Sequence, residues 1–122
     1  MDPMKMPGKR CVHIVDDEAK IRDSLAVLLS TAGIMSRAYA SAEEYLASVP
    51  LSEPACVILD NQLPGLSGME LLKRIADAAS NTAVIMITGY GDVPTAVSAM
   101  KLGAFQTATV PASATSKATS KP

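Results

Sequence analysis

Val12-His13-Ile14-Val15-Asp16-Asp17-Glu18 runs three aliphatic residues and a histidine straight into three carboxylates. The same grammar returns at Cys56-Val57-Ile58-Leu59-Asp60 and at Ala83-Val84-Ile85-Met86-Ile87-Thr88. Each run is short, mostly aliphatic, free of polar alternation, and closed by Asp or Thr. Runs of that kind fit strands buried on both faces, as in a parallel sheet held between helices. The intervening segments carry helical spacing. Ile21, Leu25, Leu28, Leu29 and Ala32 fall on one face of a helix that Gly33 stops. A weaker strand follows over 34–39. Ser41-Ala42-Glu43-Glu44 and Ser67-Gly68-Met69-Glu70 have the capping-box form and open two more helices. The second of these turns Met69, Leu72, Ile75, Ala76 and Ala79 inward. Asp92-Val93-Pro94 starts a fourth helix, with Val93, Ala96, Val97 and Met100 inward and Gly103 at its end. Strict alternation with short connections predicts an α/β fold, a doubly wound parallel sheet with right-handed crossovers.

A chain of 122 residues supports one domain, and 48% hydrophobic content against 19% charged is ample for a core. With one Phe, three Tyr and no Trp, that core has to be aliphatic. Net charge is −1 and basic residues do not cluster beyond Lys9-Arg10, so nucleic acid binding by this chain has no electrostatic support. Cys11 and Cys56 lie in apolar runs and read as buried free thiols. Residues 1–10 lack the apolar stretch of a signal peptide, and no run approaches the roughly 20 apolar residues of a membrane span. The expectation is a cytoplasmic protein with no membrane segment.

Ligands of doubly wound sheets bind beyond the carboxyl ends of the strands, where Asp16, Asp17, Asp60 and Thr88 all fall. Three neighbouring carboxylates repel one another, and a hard divalent cation such as Mg²⁺ relieves the repulsion. A carboxylate beside such a cation can attack a phosphoryl group, and a hydroxyl can contact the transferred oxygens. Each element alone has an ordinary structural use: strand-end Asp residues cap helices, and Thr88-Gly89 can begin a turn. Their combination, with 44 positions from Asp16 to Asp60 and 28 from Asp60 to Thr88, is specific.

These segments, with Leu63-Pro64-Gly65, Ser67-Gly68-Met69-Glu70-Leu71-Leu72 and Ile87-Thr88-Gly89-Tyr90-Gly91-Asp92-Val93-Pro94, resemble the receiver domain of two-component response regulators. The likeness covers residues 10–105 and is nearest the subgroup that precedes a helix-turn-helix output domain. It implies a flavodoxin-like (β/α)5 fold with strand order 2-1-3-4-5. It implies that Asp60 accepts a phosphoryl group from a phosphohistidine of a sensor histidine kinase. Asp17 would then ligate Mg²⁺ directly and Asp16 through water, with the Gln62 carbonyl completing the set and Thr88 as the switch hydroxyl. Such a domain is a signalling module rather than an enzyme, acting at most on its own phosphorylation. His13 reads as a core or edge residue.

The pattern breaks at Gln106. The family's fifth strand ends in Lys-Pro and carries an aromatic; here Val110 precedes Pro111 and Thr107 takes the aromatic's place. Residues 112–122 contain no Leu, Ile, Val, Met or aromatic residue and cannot supply the apolar face of a fifth helix. The expected organisation is a disordered start over 1–9, a receiver over 10–111 with an altered fifth strand and no fifth helix, and a disordered tail over 112–122. One sheet face is then covered by the first helix alone, which suits either a homodimer that covers this face or a marginally stable monomer. The chain carries no output region, so transcriptional activity is not expected in it. A pseudo-receiver that docks partners without phosphate control is the competing function. An aspartate-dependent phosphohydrolase would need a cap insertion that is absent.

Overall fold

The computed structural model describes residues 11–78, 81–89, 97, 100, 101, 104 and 106–110, the last five by their backbone alone. In chain order it holds β1 (Cys11–Val15), α1 (Ala19–Thr31), β2 (Met35–Tyr39), α2 (Ala42–Ser48), β3 (Cys56–Asp60), α3 (Gly68–Ala78), β4 (Ala83–Gly89) and β5 (Gln106–Val110). The strands pair in the order β2-β1-β3-β4-β5, every pair parallel. The expected order is therefore met, and β5 joins the sheet despite its altered composition. Residues 1–10 and 111–122, most of the expected fourth helix and the place of a fifth lie outside the described residues.

Both serines cap their helices. Ser41 Oγ accepts the Glu44 N–H at 3.0 Å while Glu44 Oε1 accepts the Ala40 N–H at 3.0 Å, so the chain entering α2 is fixed from both sides. Ser67 Oγ likewise accepts the Glu70 N–H at 3.1 Å at the head of α3. Helix α1 ends as expected, the Ile34 N–H returning to the Leu29 carbonyl at 2.9 Å.

The two sheet faces are covered unequally. Val15, Val57, Leu59, Val84 and Met86 pack with Ala42 and Tyr45 of α2 and with Leu71, Leu72 and Ile75 of α3 in one buried cluster. Their strand neighbours point the other way. There Ile14 is fully buried, whereas Val12, Ile58, Ile85 and Ile87 are only half-buried. The strands thus alternate in burial where continuous apolar runs had predicted equal cover. Helix α1 runs along β1 and β2 and contains no buried residue, while Ile58, Ile85 and Ile87 belong to β3 and β4, beyond its reach. Leu28, expected inward, is 66% exposed beside Val27, and Val97 and Met100 are also open to solvent. Ala76 is exposed on α3.

His13 is a core residue. Its Nδ1 lies 2.9 Å from the Tyr39 hydroxyl, and its ring packs near those of Tyr39 and Tyr45. Both cysteines are free, and burial pushes the Cys56 thiol up, keeping it protonated.

Candidate functional site

Strand order reverses between β1 and β3, and that pair of carboxyl ends is the topological switch point of the sheet. Val15 stands in register with Leu59, so Asp16 and Asp60 leave adjacent strands together. Asp16, Asp17 and Asp60 each offer a carboxylate oxygen, and all three oxygens lie within 4.8 Å of one another. Asp16 and Asp60 are buried, and Asp17 is the more open to solvent. The structure gathers the expected trio.

The two buried carboxylates are oriented in the same way. Asp16 Oδ1 accepts the Glu18 N–H at 2.8 Å, and Asp60 Oδ1 accepts the Gln62 N–H at 3.1 Å. Each is a local Asx-type turn in which the side chain binds the amide two residues on. The main chain after each Asp is also tied sideways: the Asp16 N–H to the Tyr39 carbonyl at 3.1 Å, and the Asn61 N–H to the Ile87 carbonyl at 3.0 Å. Both acidic turns are therefore fastened to the next strand over, which keeps the carboxylates in place.

Thr88 ends the far side of the pocket. Asp60 pairs in register with Ile87, putting Thr88 one step further along the neighbouring strand. The Thr88 side chain is buried, and among the described residues its Oγ1 has no hydrogen-bond partner. A buried hydroxyl left in that state costs about 1–3 kcal/mol, which a ligand oxygen would recover. On the next strand, Thr109 pairs with Thr88 and Val110 with Gly89. The backbone of β5 thus sets position 110 beside Gly89, one step beyond Thr88.

Three contacts were not read from the sequence. Gly68 opens α3 directly on the main chain of Asp60, and a Cβ there would overlap the Asp60 carbonyl oxygen. Its place in the Ser67-Gly68-Met69-Glu70 motif was visible, but the reason for a glycine was not. Glu43 on α2 reaches the loop after β3, where its Oε2 accepts the Leu66 N–H at 2.9 Å. That bond is the main reason its carboxyl titrates below the usual value. Gly65, at φ 71°, leaves room for the same carboxylate. Arg22 Nη1 donates to the Asp16 carbonyl at 2.8 Å. No local pattern announces either long side-chain contact.

Three hard oxygen donors, two of them buried, suit a small divalent cation with open water positions. The charge chemistry agrees, since buried carboxylates so close need a counter-charge. Among the described residues no helix is long and apolar enough to cross a membrane.

Fold and site together define a doubly wound α/β domain with an acidic cluster at its switch point and a buried hydroxyl on the neighbouring strand. The family model for the response regulator receiver domain matches residues 12–115, and the chain belongs to that family. It is 47% identical over 100 residues to the transcriptional regulatory protein FixJ of Azorhizobium caulinodans, covering 81% of this chain and 47% of that protein. It is 44% identical over 96 residues to the C4-dicarboxylate transport transcriptional regulatory protein DctR of Rhodobacter capsulatus, covering 77% of this chain and 49% of that one. Among solved structures, full-length FixJ from B. japonicum superposes with a TM-score of 0.75 at 42% identity, over 83% of this chain and 50% of that one. The chain spans about half the length of the relatives it matches. It is a receiver domain of the FixJ-like two-component kind, a phosphoacceptor signalling module.

Proposed function

We propose that Asp60 is the phosphoacceptor, with residues 10–111 as the receiver unit. The carrying observation is the convergence of Asp16, Asp17 and Asp60 on one point beside the buried Thr88 hydroxyl. In the reaction an Asp60 oxygen forms a bond to phosphorus while the P–N bond to a kinase histidine breaks. The electron pair stays on the imidazole nitrogen, which takes a proton from solvent. Bound Mg²⁺ would neutralise the equatorial oxygens during transfer. Asp17 would hold that cation directly and Asp16 through water, with the Gln62 main-chain carbonyl as a further donor. The Thr88 hydroxyl would then donate a hydrogen bond to a phosphoryl oxygen and pass the change into the chain after β4. The chain's only catalysis is on its own phosphorylation and dephosphorylation.

The partner that fits this chemistry is a sensor histidine kinase, which this chain would meet in the cytoplasm. A chain of net charge −1 offers DNA phosphates no attraction, so any contact with DNA falls to another region of a longer protein. The half-buried Ile58, Ile85 and Ile87 of the sheet and the exposed Val27 and Leu28 of α1 favour association of two copies. Sedimentation showing only monomer at high concentration would remove that part.

Position 110 limits the function. A lysine there would place an ammonium beside the transferred oxygens, and loss of one such donor slows transfer by on the order of 10²-fold. The reading is tested with a small acyl phosphate and Mg²⁺, following intact mass. One added phosphoryl group, absent in Asp60→Asn, is expected, at a slow rate. Labelling that persists in Asp60→Asn would refute the assignment, and no labelling at all would favour a docking module without phosphate control.

A further inference from the structure

The acidic turn has a geometric problem to solve. Successive side chains of an extended chain point to opposite sides, yet Asp16 and Asp17 both deliver an oxygen to the point shared with Asp60. The chain must therefore turn between them, and the turn must be held. The peptide unit joining Asp16 to Asp17 carries the Asp16 carbonyl, and that carbonyl is gripped by Arg22 Nη1 at 2.8 Å. Arg22 sits in the opening of α1, half-buried, with its own N–H on the Glu18 carbonyl at 3.1 Å. On the other side, the Asp16 N–H is fixed to Tyr39 of β2. The main chain of Asp16 is thus held between a strand and a helix, and Arg22 is the side chain that ties it to the helix.

We propose that Arg22 is a positioning residue of the cation site, acting on the Asp16–Asp17 peptide and touching neither cation nor phosphoryl group. The inference rests on reading the three carboxylates as a Mg²⁺ site. A guanidinium beside such a site has two opposed effects. Its charge repels the incoming cation, an interaction weakened by solvent at the open Asp17 side. Its hydrogen bond orients two ligands at once, and a bond from a charged donor corresponds to roughly a ten- to hundred-fold effect. The second effect is the larger, so the sign is fixed: removing Arg22 weakens cation binding although it removes a positive charge.

The experiment uses the full chain with MgCl2 alone, the dissociation constant being read by calorimetry and by amide NMR shifts. Arg22→Gln is expected to raise the Mg²⁺ dissociation constant about ten-fold. Arg22→Lys, which keeps the charge and one donor, should recover part of that loss. With an acyl phosphate at saturating Mg²⁺, the labelling rate of Arg22→Gln should return to within about two-fold of the unsubstituted chain, because the loss is in binding the ion. Far-UV circular dichroism checks the fold; if Arg22→Gln does not fold, Arg22→Lys carries the same prediction at smaller size. An unchanged or tighter Mg²⁺ constant in a folded variant overturns the proposal. If the unsubstituted chain ignores Mg²⁺, the metal reading itself falls and takes this inference with it, a result visible before any variant is made.

Discussion

On the near side of the pocket, Asp16 and Asp60 end neighbouring central strands, each turned by an N–H two residues on and each backed by a hydrogen bond to the next strand. On the far side, Thr88 ends β4 with a buried hydroxyl, and β5 brings Thr109 and Val110 alongside in register. The near wall gathers the three carboxylates proposed to hold a cation. The far wall holds a hydroxyl but no cationic residue on β5. Binding a metal and moving a switch are thus separable demands, met by different stretches of chain. A segment can keep the sheet intact through backbone pairing while losing the side chain that chemistry would use.

The strongest way to break this contrast is to repair the far wall. Val110→Lys is expected to raise the labelling rate with an acyl phosphate by about 10²-fold while leaving Mg²⁺ affinity within about two-fold. A rate unmoved by the lysine would show that the far wall was never limiting. The near wall is probed next through Gly68. Gly68→Ala places a methyl group against the Asp60 carbonyl, and urea unfolding should show a loss of about 1–3 kcal/mol. A neutral result would mean that α3 can shift away from β3 freely.

Behind the near wall, His13 holds Tyr39, whose carbonyl receives the Asp16 N–H. Burial, and then Arg37, lowers the His13 pKa below its ordinary 6.5. The unfolded chain therefore binds this proton more readily, so the stabilisation is complete above 6.5 and lost as pH falls through the lowered folded value. Urea midpoints should be level above neutrality and decline below it, and His13→Phe should flatten that window. The smallest effect belongs to Glu43→Gln. Global stability should hold, while amide exchange at Leu66 quickens a few-fold on the scale of exposed contacts. Unchanged exchange would leave the loop after β3 independent of α2.

The pattern of apolar runs read correctly as strands, and the two Ser-x-x-Glu motifs as helix starts, because both depend on neighbours in sequence. The trio of carboxylates was legible for a related reason: strand ends in this topology meet at one rim, so three local endings specify one place. Burial was less legible. Helical spacing put Leu28 inward, but a helix packed over only part of its apolar arc leaves such a residue in water, and Leu28 is 66% exposed. His13 reads from the sequence as a core or edge residue, but its bond to Tyr39, 26 positions away, leaves no trace in the spacing.

By itself the chain's order of residues determined the α/β alternation, the acidic endings and the loss of lysine at position 110, since each is written in a short window. Only the tertiary structure decided what grips those endings: Arg22 on the Asp16 carbonyl, Glu43 on the loop of Leu66, Gly68 against Asp60. Those contacts join side chains and backbone across separate elements. Their geometry exists only once the sheet has brought those elements together.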